Sequence, residues 1–141
     1  MKTWLITGVS SGFGKAMTKQ LLERGDRVIG TVRNRKKVQD LLTAYPETFD
    51  CELLDVTDVP AVHRIVSTAF EKYGRIDVVV SNAGYGLFGC AEELSDAEIN
   101  HILATNLTGS IQMIRSAIPY MRLQGGGRII QISSYGGQVA Y

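Results

Sequence analysis

A chain of 141 residues with net charge +1 and 45% apolar residues has the length and balance of one soluble globular domain, or part of one, and this excludes a disordered chain. No apolar run approaches the roughly 18 residues of a membrane span, and MKTWLITG enters a strand pattern directly, without the segments of a secretory leader, so a cytoplasmic location and no membrane partner are expected. The basic residues are dispersed, leaving no footprint for nucleic acid, and Cys51 and Cys90, far apart and without His or Cys at ligand spacing, read as small core residues rather than metal ligands.

Residues 3–7 form the first strand pattern, and TGVSSGFG, Thr7 to Gly14, separates it from the helical KAMTKQLLERG. A strand, a glycine-rich turn and a helix start bring free backbone N–H groups and the positive end of a helix dipole together, a place suited to a pyrophosphate. On that reading Gly8 allows the tight turn, Gly12 lets backbone approach the phosphate, Gly14 lets the helix pack on the strand, and Ser10 and Ser11 add hydroxyl donors. The spacing is G-xxx-G-x-G rather than the commoner G-x-G-xx-G. Glycine-rich loops also arise for structural reasons alone, so the loop needs company.

The second strand pattern, residues 27–32, is followed by Arg33, Arg35, Lys36 and Lys37, with no carboxylate between Asp26 and Asp40. In a dinucleotide fold an acid at this strand end takes the ribose 2′-OH, whereas an arginine accommodates a 2′-phosphate through paired hydrogen bonds. Arg33 therefore predicts NADP over NAD. A solvated helix start is the other reading of RNRKK.

Residues 49–54 read as the third strand. DVPAVHRIVSTAFEKYG, residues 58–74, predicts a helix whose apolar face runs through Val59, Val62, Ile65, Val66, Ala69, Phe70 and Tyr73, capped by Asp58 and stopped by Gly74. His63 lies off that face and reads as a solvated surface residue. Residues 76–81 give the fourth strand. Ser95 and Glu98 form a capping box for one amphipathic helix to about Met121, with an apolar face through Ile99, Ile102, Leu103, Leu107, Ile114, Ile118 and Met121. Residues 128–133 give the fifth strand. Buried strands alternating with helices predict right-handed crossovers and a doubly wound parallel α/β sheet of the Rossmann type, strand order 3-2-1-4-5, over residues 1–141 as one unit.

TGVSSGFG resembles the TGxxxGxG signature of the short-chain dehydrogenase/reductase family. Ser81 to Gly84, SNAG, resembles that family's NNAG; Asp55 in LLDVT is similar to its acidic residue after the third strand, Asn106 in ATNLTG to its mid-helix asparagine, and Ser134 in RIIQISSYGG to its catalytic serine. The resemblance implies hydride transfer between NADP(H) and a carbonyl or alcohol substrate. It implies a cofactor site of Gly8, Ser10, Ser11, Gly12, Phe13, Gly14, Arg33, Asp55, Val56, Asn82, Ala83 and Gly84, no metal, and catalytic roles for Ser134, at the substrate oxygen, and Asn106, which distorts its helix and holds a relay water. It also implies a homodimer or homotetramer paired through the long helix, Ser95 to Met121, and the helix after it. Each residue keeps a plainer reading: Asn82 closing a turn, Asp55 capping a helix or forming a turn, Asn106 a satisfied structural asparagine on an apolar stripe. The loop YGLFGCAEEL and the segment SYGGQ are expected around the substrate, with Tyr85, Leu87 and Phe88 pointing to an apolar one, ordinary loop packing being their plainer reading.

The sequence departs from the family at the proton donor. The family uses a tyrosine with a lysine four residues later, but the residues four after Tyr45, Tyr73, Tyr85, Tyr120 and Tyr135 are Phe49, Asp77, Gly89, Gln124 and Val139, Tyr141 is last, and no lysine follows Lys72. Either the chain is the front part of a longer enzyme, truncated after the fifth strand and inactive alone, or it is a non-catalytic NADP-binding or regulatory protein. The first is expected, because a fifth strand rich in Ile would be left as a bare edge and QVAY reads as an interrupted loop.

Overall fold

Runs of Ile, Val and Leu without polar alternation are stable as strands only where both sheet faces are covered. The computed structural model, which describes residues 1–137, shows such a sheet. Its strands β1 (Thr3–Thr7), β2 (Arg27–Val32), β3 (Phe49–Leu53), β4 (Val78–Ser81) and β5 (Arg128–Gln131) pair in parallel in the order β3-β2-β1-β4-β5. The architecture and strand order are those the sequence predicts; QVAY and Tyr141 lie outside the described residues.

Alternate side chains feed two cores. Ile6, Val28, Val78 and Val80 face α1 (Gly12–Glu23) and α2 (Gln39–Ala44), packing with Leu21, Leu22 and Leu41. Leu5, Ile29 and Val79 face α3 (Val59–Tyr73) and meet Val62, Val66 and Phe70, together with Met113 and Ala117 from the chain's longest helical region. Each of the larger side chains, fully buried, contributes about 1.5–3 kcal/mol. Asp58 caps α3 by accepting from the Ala61 N–H at 3.0 Å, and Gly74 ends it at φ +70°. His63 is exposed and meets the Gln112 side chain at 3.1 Å.

The long amphipathic helix needs correction. It consists of α4 (Asp96–Leu103), a π turn (Ala104–Thr108) and α5 (Gly109–Leu123), with the Ser95–Glu98 capping box in place. In the π turn the Gly109 N–H bonds the Ala104 carbonyl, five residues back, so the periodicity of α4 does not carry into α5. The buried positions of α5 include Ser110, Met113, Ala117 and Met121. Of the predicted face, Ile99, Leu103, Leu107 and Ile118 are exposed, and Ile102 and Ile114 are only half-buried. Cys90 is a second correction, being exposed, while burial pushes the Cys51 thiol up to about 11.

At the amino end of the sheet Asp26, 6% exposed, accepts from the Lys2 N–H at 2.8 Å, the Trp4 indole at 3.1 Å and the Arg24 guanidinium. Burial opposes ionisation of this carboxyl, but those donors together hold it below the ordinary aspartate value. A lowered folded-state pKa means stability that is complete above the unfolded pKa of about 4 and is lost as pH falls through the folded value. Urea unfolding should therefore show Asp26→Asn about 2 kcal/mol less stable than wild type at neutral pH, the gap closing towards pH 2. A gap that stays constant with pH would show that the carboxylate's charge plays no part.

Candidate active site

In an open parallel sheet the carboxyl ends of the strands leave a crevice where the strand order reverses. A cleft of about 880 Å³ opens there, lined by all the residues expected to hold the cofactor and by Asn106 and Ser134. The loop after β1 forms its floor. Gly8, at φ +75°, turns the chain so that its own N–H and that of Val9 both bond the Thr31 carbonyl, at 3.0 and 3.1 Å, pinning the loop across β2. Ser11 stands before α1 in extended conformation, and its hydroxyl makes no capping hydrogen bond, so the leading amides of α1 lack the partner an N-cap serine ordinarily supplies. Beyond Gly12 a β-carbon would meet nothing within 4 Å, leaving bare backbone at the cleft wall, and Phe13 is 80% exposed.

Asn82, after β4, ties this floor to the centre of the sheet. Its N–H and that of Ala83 donate to the Thr7 hydroxyl at 2.9 and 3.0 Å, and its Nδ2 donates to the carbonyls of Thr7, at 2.9 Å, and Gly8, at 3.1 Å. Thr7, 1% exposed, is thus the hub of the junction. Its signal in the sequence is slight, a hydroxyl residue at the end of the central strand directly before Gly8.

Asp55 follows β3, and its Oδ1 accepts from the N–H and hydroxyl of Thr57 at 2.9 and 2.7 Å. The turn-forming reading therefore holds, and the same residue lines the cleft. The Thr57 N–H and hydroxyl, with a smaller effect from the Arg33 charge, hold its carboxyl below the usual range. Val56 lies under the start of α5, where a β-carbon on Gly109 would sit 2.9 Å from the Val56 carbonyl oxygen. Arg33 lies in the cleft wall and forms no ion pair with a carboxylate among the described residues. The helical turn Arg35–Val38 begins only after Asn34, whose side chain caps the Lys36 N–H at 3.0 Å. The solvated helix start thus accounts for Arg35, Lys36 and Lys37 but not for Arg33.

Asn106 is not buried on an apolar stripe, as the sequence reading placed it. It sits exposed in the π turn, accepting from the Tyr85 N–H at 3.1 Å and donating to the Tyr85 carbonyl at 2.8 Å. The Tyr85 ring packs on His101 with centroids 5.7 Å apart. Ser134, after β5, is exposed, and its Oγ accepts from the Gly136 N–H at 3.2 Å, which leaves the hydroxyl proton to donate elsewhere. Tyr85 lines the cleft as expected, but Leu87 and Phe88 do not, and Phe88 is 94% exposed. Leu107, Ile111 and Ile114 supply apolar wall instead. Among the described residues no cluster of His, Cys, Asp and Glu could hold a metal ion, and no helix is long and apolar enough to cross a membrane.

The chain is 39% identical over 137 residues to the 3-ketodihydrosphingosine reductase of Bacteroides thetaiotaomicron, an alignment covering 94% of this chain and 47% of that protein. It matches the crystal structure of a short-chain dehydrogenase from Streptomyces avermitilis with TM-score 0.95 and 38% identity, over 99% of this chain and 52% of that one. It matches the closed form of serine dehydrogenase complexed with NADP+ with TM-score 0.91 and 29% identity, over 99% and 56% of the two chains. The chain thus spans about half the length of these proteins. The family profile described as short chain dehydrogenase matches residues 2–141, and with the parallel sheet and its glycine-rich crevice in view, this chain belongs to the short-chain dehydrogenase family.

Proposed function

We propose that residues 1–141 are the nucleotide-binding portion of a longer single-domain cytoplasmic oxidoreductase that moves a hydride between NADP(H) and an apolar carbonyl or alcohol substrate. The observation that carries this reading is the unclaimed start of α1: Ser11 leaves the leading amides uncapped, and Gly12 presents bare backbone to the cleft, which suits a diphosphate. NADPH, when bound, supplies the hydride. Gly8, Ser10, Ser11, Gly12, Phe13 and Gly14 would hold its diphosphate, Asp55 and Val56 its adenine end, and Asn82, Ala83 and Gly84 the middle of the site.

At the substrate oxygen Ser134 would donate a hydrogen bond from its hydroxyl, and Asn106, which fixes the loop carrying Tyr85, would hold water for the proton relay. The tyrosine–lysine pair that completes the family's chemistry is absent from these 141 residues, so turnover belongs to the full-length protein. Tyr85, Ile111 and Ile114 in the cleft wall favour an apolar substrate. The open edge of β5, where Ile129 and Ile130 are only half-buried, supports a fold that continues past this sheet. The exposed Ile99, Leu103 and Ile118 support pairing of copies through α4 and α5, as a homodimer or homotetramer.

The proposal is tested by titrating the full-length protein with NADPH and following NADPH oxidation against a panel of ketones. A folded protein that binds no NADPH overturns it, and binding without turnover on any carbonyl favours a regulatory binder. Arg33 supports the choice of NADP. Arg33→Ala should weaken NADPH by about 10- to 100-fold, a loss of one charge-assisted, paired contact of about 1.5–3 kcal/mol, with NADH affinity unchanged. Equal affinity of the variant and the wild type for NADPH would remove Arg33 from the site.

A further inference from the structure

Loops after strand ends carry the specificity of α/β proteins only when something holds them, and the loop that follows Asn82–Gly84 is held at one residue from two directions. Both backbone groups of Tyr85 are bonded by the Asn106 amide. These two bonds hold the main chain, and the ring makes a contact of its own on the same helical segment. The ring meets His101 at 5.7 Å with planes inclined by 39°, within the range of a favourable aromatic pair. His101 stands in the last turn of α4, where its carbonyl accepts from the Thr105 hydroxyl at 2.9 Å, and Asn106 follows in the π turn. One helical segment thus grips both the backbone and the ring of Tyr85. Leu87 and Phe88 stay out of the cleft, so Tyr85 is the large side chain that this loop offers to it.

Resting on the oxidoreductase reading above, we infer that Tyr85 is a specificity-determining wall of the cleft, packing on an apolar carbonyl substrate, and that His101 is the positioning residue that sets its ring. His101 is exposed, and its ring contact among the described residues is with Tyr85. His101→Phe keeps an aromatic ring at this position and so tests the packing contact alone.

The experiment uses the full-length protein with NADPH and a series of straight-chain ketones, comparing His101→Ala, His101→Phe, Tyr85→Ala and the His101→Ala/Tyr85→Ala double variant. His101→Ala should raise ketone KM about two- to tenfold, the worth of one aromatic pair, with kcat and NADPH affinity held within about twofold of wild type. His101→Phe should restore KM, and in the double variant the histidine change should add nothing to the tyrosine change. Amide hydrogen exchange, read by mass spectrometry over the segment containing Tyr85, should speed up in His101→Ala and recover in His101→Phe. Unchanged exchange and KM in His101→Ala, additive losses in the double variant, or a failure of phenylalanine to restore would each overturn the inference. A wild-type protein that oxidises no NADPH sinks the oxidoreductase reading instead, and the exchange rates then still decide whether His101 holds Tyr85.

Discussion

Gly14→Ala is expected to destabilise the fold by about 3 kcal/mol, the upper end of ordinary overpacking, and to abolish NADPH binding. Helix propensity alone predicts the opposite sign, because alanine is favoured over glycine by up to about 1 kcal/mol inside a helix. Geometry decides against propensity. A β-carbon on Gly14 would lie 2.2 Å from the Gly8 carbonyl oxygen and 2.5 Å from the Asn82 Nδ2. Neither atom can give way cheaply, since they bond each other at 3.1 Å, Asn82 also holds Thr7, and the Gly8 N–H is fixed to Thr31. The change therefore separates the first turn from the end of β4, the junction on which the crevice is built. Gly12→Ala is the contrasting control. Its β-carbon meets nothing within 4 Å, but φ is +54°, so it should cost only about 1–2 kcal/mol of backbone strain while its methyl obstructs the diphosphate. Urea unfolding and NADPH titration of both variants check this. A Gly14→Ala protein as stable as wild type would mean that helix and turn are not packed as described.

What the sequence disclosed and what it hid follow from the range of the forces involved. The strands and their order were legible because a doubly covered sheet demands unbroken apolar runs, and Ile6, Val28, Val79 and Val80 satisfy that locally. Caps were legible for the same reason: Ser95 and Glu98, or Asp58 and Ala61, are neighbours along the chain. The buried face of the long helix was not, because a continuous 3.6-residue period was assumed and the π turn breaks it at Ala104–Thr108. Thr7 escaped notice since its partners, Asn82 and Ala83, lie about 75 residues away and only the β1–β4 pairing unites them. Leu87 and Phe88 share the loop after Gly84 with Tyr85, but neither loop position nor residue type says which way each side chain turns, and both lie outside the cleft. The exposed Cys90 is the same error in reverse, residue type standing in for position.

In the full-length protein, Ser134→Ala should lower kcat by about 10²- to 10³-fold, the loss of one preorganised donor at a developing oxyanion, while NADPH affinity stays within about twofold. The hydroxyl is suited to this because its oxygen is already engaged by the Gly136 N–H, which orients it and leaves the proton for a substrate oxygen. Ser133 also lines the cleft, one residue away in a segment that leaves the sheet edge, so it supplies the internal comparison. The Ser134 Oγ is held by the Gly136 N–H, whereas the Ser133 hydroxyl makes no such bond among the described residues, so the two hydroxyls are not equivalent. Ser133→Ala should then change kcat by less than about fivefold, within the range of indirect effects on a neighbouring donor. Single-turnover rates with saturating NADPH keep product release from masking the chemical step. Similar losses from the two alanine variants would assign the effect to the shape of the segment after β5 rather than to a hydroxyl at the substrate oxygen, and an undiminished Ser134→Ala would require the donor to come from another residue altogether.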